Sequence, residues 1–182
     1  GTAGVLGFTC CTMCFCTSSP LVVVGPTLSL TGAIVQGAGN LTVNNALTLG
    51  APTFSGAGGG TFNTGSTSVT TLSGSPTLNG TVTWNNSGTV DIGGSHRVLM
   101  YNGAALNNLA GGIINDTTTA PNPLEGNGSA SSFVNTGTFN KNAGSLATQN
   151  FNINSFANAT GGVFNINSGV FVVSQVSTPQ DG

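Results

Sequence analysis

Few side chains in this sequence can do acid–base or nucleophilic chemistry. The acids are Asp91, Asp116, Glu125 and Asp181, the bases are Arg97 and Lys141, and the single imidazole is His96. Glycosidic cleavage uses two carboxylates about 5–10 Å apart. Asp91 and Asp116 lie roughly one repeat length apart, and His96 and Arg97 follow the first, so these four make the one polar cluster on offer. Calcium-assisted lyase chemistry would need more carboxylates or several bases, and the sequence lacks them. Ser95, His96 and Asp91 have the residue types of a hydrolytic triad, but being neighbours in sequence says nothing of geometry, and no Gly-x-Ser-x-Gly turn accompanies them. Gly56-Ala-Gly-Gly-Gly lacks the Lys and helix of a phosphate loop. An amide cross-link between Lys141 and an Asn, assisted by Glu125, is a further chemical option. A patch of surface charge accounts for the acids more simply. The expectation is a protein without enzymatic activity and without a cofactor.

All four cysteines fall in one stretch, at Cys10, Cys11, Cys14 and Cys16. Three readings stand. Disulfides suit an exported protein; Cys10 and Cys11 are adjacent, so their partners would be Cys14, Cys16 or a neighbouring subunit. Buried free thiols suit an apolar strand. Cys11-Thr-Met-Cys14 also has metal-ligand spacing, but structural zinc sites normally join two separated pairs.

The rest of the composition excludes whole classes of partner. Only 3% of the 182 residues are charged, against about 25% in a typical soluble domain. Two cations neutralise few phosphates, so nucleic acid and anionic lipid are poor partners. The longest apolar stretch, within residues 5–16, is too short for a membrane-spanning helix. A net charge of −2 does little to keep copies apart.

The elements that must carry these residues are set by a repeat. A small polar turn, a glycine and a short β-type run recur as Gly39-Asn-Leu-Thr-Val, Gly60-Thr-Phe-Asn-Thr, Gly80-Thr-Val-Thr-Trp, Gly88-Thr-Val-Asp-Ile, Gly112-Ile-Ile-Asn, Gly137-Thr-Phe-Asn and Gly162-Val-Phe-Asn-Ile. In the second half an Asn precedes the glycine: Asn86, Asn108, Asn135 and Asn158, at spacings of 22, 27 and 23 residues. A period in the low twenties marks a solenoid. The runs alternate apolar and polar, as strands do. The predicted fold is all-β: a single-stranded parallel β-helix of roughly six or seven coils, each with two or three strands, preceded by an extended N-terminal segment. Inward candidates are Leu41, Val43, Phe62, Val82, Trp84, Val90, Ile92, Ile113, Phe139, Phe151, Ile153, Val163, Phe164 and Ile166. Some of these exclude one another by alternation. The four asparagines are either turn formers tolerant of left-handed backbone or a stacked amide ladder at a buried corner. The 27-residue step predicts a loop insertion at the Pro-containing stretch Thr117–Gly128.

With its Asn-x-Gly-Thr-Phe-Asn phrase and low charge, the chain resembles β-helical passenger and haemagglutinin-type surface proteins of bacteria across residues 33–174. The resemblance implies secretion, adhesion or a surface-fibre role, with no shared catalytic site.

Three regions follow: 1–31, an apolar Cys-containing segment that joins subunits or caps the stack; 32–174, the β-helix; and 175–182, a polar tail. Both ends are apolar and β-prone, through Val22, Val23 and Val24 at one end and Val170, Phe171, Val172 and Val173 at the other. Neither carries a cap helix, and uncapped solenoid ends polymerise. The expected partner is a second copy of the chain, added head to tail by strand stacking or exchange of the N-terminal strand. The alternative is a monomeric adhesin segment that binds glycans. An extracellular or cell-surface location follows from either.

Overall fold

A computed structural model describes residues 5–9, 12–14, 21–23, 25, 27–56, 59–127 and 130–173. Short runs of Val, Ile, Thr and Phe alternate with polar residues, which favours strands of a half-buried kind. Glycine and Asn at the corners break the runs after three to five residues. The chain therefore cannot form long strands, and it winds.

In chain order the strands are β1 (Val5–Thr9), β2 (Thr12–Cys14), β3 (Leu21–Val23), β4 (Thr27–Thr31), β5 (Ile34–Gln36), β6 (Asn40–Val43), β7 (Ala46–Gly50), β8 (Thr53–Gly56), β9 (Thr61–Thr64), β10 (Val69–Leu72), β11 (Thr77–Gly80), β12 (Thr83–Asn86), β13 (Thr89–Ile92), β14 (Val98–Tyr101), β15 (Ala105–Asn108), β16 (Ile113–Asp116), β17 (Leu124–Asn127), β18 (Ser132–Asn135), β19 (Thr138–Lys141), β20 (Thr148–Asn150), β21 (Ser155–Asn158), β22 (Val163–Ile166) and β23 (Val170–Val172). Every third strand stacks on the last, in parallel. Sheet A runs β1-β4-β7-β10-β13-β16-β19-β22, sheet B β2-β5-β8-β11-β14-β17, and sheet C β3-β6-β9-β12-β15-β18-β21. The result is the expected parallel β-solenoid, with about seven turns. Sheet B breaks at its far end: β20 pairs with β23 in a separate ladder, and only a bridge between Glu125 and Asn152 links β17 to that coil. Strands β1, β2 and β3 pair in register with β4, β5 and β6, so all three sheets run on through the N-terminal stretch.

The core is a set of axial columns. In sheet A one column reads Leu28, Leu47, Thr70, Val90, Ile114, Phe139, Phe164. In sheet C one reads Leu41, Phe62, Trp84, Leu106, Phe133, Phe156. Aromatic rings meet along and across these columns. Phe54 stacks on Phe62 with centroids 4.5 Å apart, and Phe62 meets Trp84 at 5.1 Å. Toward the far end Phe139 stacks on Phe164 at 4.8 Å, and Phe151 packs against Phe171 at 4.6 Å. Burying each such ring contributes about 1.5–3 kcal/mol.

Two expected core residues face outward. Ile113 and Val163 are 37% and 46% exposed. Each opens a strand whose second residue, Ile114 or Phe164, takes the inward position, and successive side chains must point to opposite faces. Ile166 points inward in register with Lys141, yet it is 49% exposed because no described strand covers β22. In the stretch expected to hold the insertion, residues 117–123 carry no strand, and Thr118 and Ala120 within them are buried.

Candidate functional site

The second inward column of sheet C runs Val43, Thr64, Asn86, Asn108, Asn135, Asn158. Its asparagines form a hydrogen-bonded ladder along the axis. Asn86 Nδ2 donates to Asn108 Oδ1 at 2.8 Å, Asn108 Nδ2 to Asn135 Oδ1 at 2.8 Å, and Asn135 Nδ2 to Asn158 Oδ1 at 2.7 Å. Thr64 heads the ladder: its hydroxyl donates to Asn86 Oδ1 at 2.7 Å and accepts from Trp84 Nε1 at 3.1 Å. Asn86, Asn108 and Asn135 are fully buried. Their amides also hold the turns, as Asn86 Nδ2 to the Gly88 carbonyl (3.0 Å) and Asn108 Nδ2 to the Gly112 carbonyl (3.3 Å) show, and Asn108 Nδ2 reaches the Thr138 carbonyl of the next coil at 3.1 Å. The glycine that follows each Asn is required by closeness: a Cβ on Gly137 would lie 2.3 Å from Gly112 O, and one on Gly162 would lie 2.3 Å from Asn135 O.

Two further amide ladders run outside. On sheet C, Asn63, Asn85 and Asn107 are linked at 3.1 and 2.9 Å. On sheet A, Asn115 donates to Asp91 (2.9 Å), Asn140 to Asn115 (3.0 Å) and Asn165 to Asn140 (2.9 Å). Apart from the Asp91 carboxylate, uncharged amide pairs do on these walls what salt bridges do elsewhere.

The carboxylates expected to align do not. Asp91 faces outward, in register with Asn115, whereas Asp116 is in register with Ile92 and faces inward. The sheet separates them, so this pair cannot flank one glycosidic bond. His96 lies in the loop between β13 and β14, where its carbonyl accepts from the Thr118 hydroxyl at 2.7 Å. Arg97 Nη1 donates to Glu125 Oε2 across the following coil. Glu125 lies on β17 of sheet B, paired with Leu99, whereas Lys141 lies on β19 of sheet A, which leaves no support for the cross-link Glu125 was to assist.

Sequence reasoning missed two charged residues buried side by side in the described core. Asp116 and Lys141 are register partners and both are fully buried. Lys141 Nζ donates to Leu146 O at 2.7 Å and to Ser145 Oγ at 2.5 Å. Asp116 Oδ1 accepts from the Thr118 N–H at 2.9 Å, while Oδ2 has no partner among the described residues. Burial raises the carboxyl to about 6, against the opposing pull of the Thr118 N–H, the Gln149 amide and the Lys141 charge. No charge pattern in the sequence separates an inward Lys from an outward one; only the register does.

Cys10, Cys11, Cys16 and Val24 lie outside the described residues, and Cys14 closes β2. Among the described residues no three of His, Cys, Asp and Glu gather as a metal site. Val22 is exposed and Val23 buried on β3, the outermost strand of sheet C. Val170 and Val172 are exposed on β23, with Phe171 buried between them, and Val173 is exposed. Among the described residues no helix is long and apolar enough to cross a membrane. No known protein family, curated protein or solved structure matches the chain.

Proposed function

We propose that this chain is a structural subunit of a secreted or cell-surface fibre that grows head to tail. The observation that supports this reading is that, among the described residues, no strand pairs with the outer edges of β1, β2 and β3 or of β21, β22 and β23. Because every pairing is parallel, the first coil (β1, β2, β3) and the last strands (β21, β22, β23) present edges of matching polarity. One copy's β22 can therefore accept the next copy's β1 as another rung. Such a contact is heterologous and does not close, so it generates a filament. Apolar side chains mark the far end, where Ile166 and Val170 are 49% and 54% exposed. Net charge near zero does not oppose the contact.

Electron microscopy and light scattering of purified protein over a concentration series test the reading. The expected outcome is unbranched filaments with an axial repeat near 4.8 Å, the spacing of stacked strands. Monomers at every concentration would refute it.

A second reading is a monomeric adhesin segment whose flank binds glycans. It draws support from the uncharged, amide-lined outer walls, which offer donors and acceptors together.

A further inference from the structure

The outer face of sheet B carries a groove of about 540 Å³ lined by Gln36, Gly37, Ser55, Gly56, Asn79, Gly80 and Asn102. Its shape comes from the corner. Gly56 and Gly80 are register partners, Gly37 N donates to Ser55 O, and a Cβ on Gly80 would fall 2.8 Å from Gly56 O. Tight coil stacking there requires glycine, and the consequence is a strip of bare backbone between side chains. Gln36, Ser55, Asn79 and Tyr101 form one outward column, paired rung by rung. At the rung spacing of strands the column spans about 14 Å. Tyr101, half-buried, stands one rung beyond Asn79. Asn102 Nδ2 donates to Asn79 Oδ1 at 2.9 Å, and Asn79 Nδ2 and Asn102 Oδ1 have no partner among the described residues.

We infer that this groove binds a neutral, linear oligosaccharide laid along the solenoid axis. A sugar ring has an apolar C–H face and a rim of hydroxyls that donate and accept. The ring face suits Tyr101, whose aromatic body is apolar and whose rim is wet. The rim suits amides, since each offers donors and an acceptor from one group. No charged side chain lines the groove, so sulfated, uronate and cationic sugars find no counter-charge. The nearest ion pair, Arg97 with Glu125, is self-compensated.

This inference rests on the adhesin reading and is independent of filament growth, because the flank stays open in monomer and fibre alike. The test is an array of linear hexasaccharides of glucose, mannose, galactose and N-acetylglucosamine, with heparin and polyuronate fragments as anionic probes, followed by calorimetric titration of the neutral sugar retained. At least one neutral hexasaccharide should be held. Its affinity should fall about tenfold or more in Tyr101→Ala and in Asn79→Ala, a difference of about 1.4 kcal/mol each. Thr89→Ala, on the outer face of sheet A, should leave it unchanged. Retention of anionic probes alone, retention of none, or equal binding by all variants would overturn the site. Filaments seen without sugar binding would remove this inference and leave the fibre reading standing.

Discussion

Asp116 and Lys141 are partners on successive strands of sheet A, inside a column that enters from Ile92 and leaves through Ile166. Two charged residues thus occupy positions that their axial neighbours give to isoleucine. Lys141 satisfies itself on the turn that follows, through Ser145 and Leu146. Asp116 is less well served. Its Oδ2 and the Oε1 of Gln149, whose amide lies against the carboxyl, are both buried acceptors without a donor. A proton on the carboxyl removes the cost of holding a charge in this buried place.

That arrangement predicts how stability varies with pH. The folded-state value of Asp116 is about 6, above the ordinary 3.8. Between those values the folded protein holds a proton that the unfolded chain has lost. The contribution of Asp116 is therefore complete below pH 3.8, falls as pH rises toward 6, and is flat above it. At 1.36 kcal/mol per unit the whole change amounts to about 3 kcal/mol. Urea titrations from pH 3.5 to 7.5 should show this slope in the native sequence and lose it in Asp116→Asn. An unchanged slope in the variant would assign it to other acids.

The buried and exposed amide ladders should differ in energetic weight. Asn108→Ala removes the donor to Asn135 Oδ1 in the interior and a contact to the Thr138 carbonyl. Leaving buried polar atoms unpaired costs about 1–3 kcal/mol each, so a loss of about 3 kcal/mol is expected. Asn107→Ala breaks a bond of similar length to Asn85 on the outer face, where water replaces it, and should cost about 0.5 kcal/mol or less. Trp84, the sole tryptophan, is fully buried and reports the unfolding of both by fluorescence.

The residues that were legible in the sequence and those that were not divide on one physical point. Asn86, Asn108, Asn135 and Asn158 recur with glycine behind them, and that spacing places them one coil apart whatever the register. Asp91 and Asp116 also look one coil apart, but the register gap is set by Asp91 with Asn115. A one-residue difference sends a side chain to the opposite face. Ile113 and Val163 were misplaced for the same reason, because each precedes another apolar residue that takes the core position. The break in sheet B before β20 is not announced by the repeat: Asn142-Ala-Gly144 has the same Asn-x-Gly spelling as the regular corners at Asn86 and Asn135, and only the Ser-Leu-Ala that follows departs from their Thr-Val and Thr-Phe. Thr70 and Lys141 fill inward places with residue types that ordinarily face water, and only their neighbours in the column reveal them.

Thr70 offers a stabilising change. It lies between Leu47 and Val90, fully buried, and its Oγ1 has no hydrogen-bond partner among the described residues. Val has nearly the same shape without the hydroxyl. Thr70→Val should raise stability by about 1 kcal/mol, because it removes an unpaired polar atom and leaves no cavity. A higher midpoint of thermal unfolding would bear this out, whereas a lower one would mean that the hydroxyl is paired.

The last prediction concerns the far end of the stack. Ile166 points inward but is half exposed, since no described strand adds a further rung to its column. If the next copy's β1 supplies that rung, Ile166 becomes core and must be apolar. A lysine there would face the joining copy directly above Lys141, and burying a second cation would be too costly for the joint to form. In an isolated monomer the same side chain reaches water, so the fold should survive. Ile166→Lys is therefore expected to keep the thermal midpoint of the monomer within a few degrees while abolishing elongation from preformed seeds, followed by light scattering and imaging. Thr138→Lys, on the outer wall of sheet A, serves as the matched charge control and should elongate normally. Normal elongation by Ile166→Lys would mean that growth does not proceed through the β22 edge, and the head-to-tail joint would have to be abandoned.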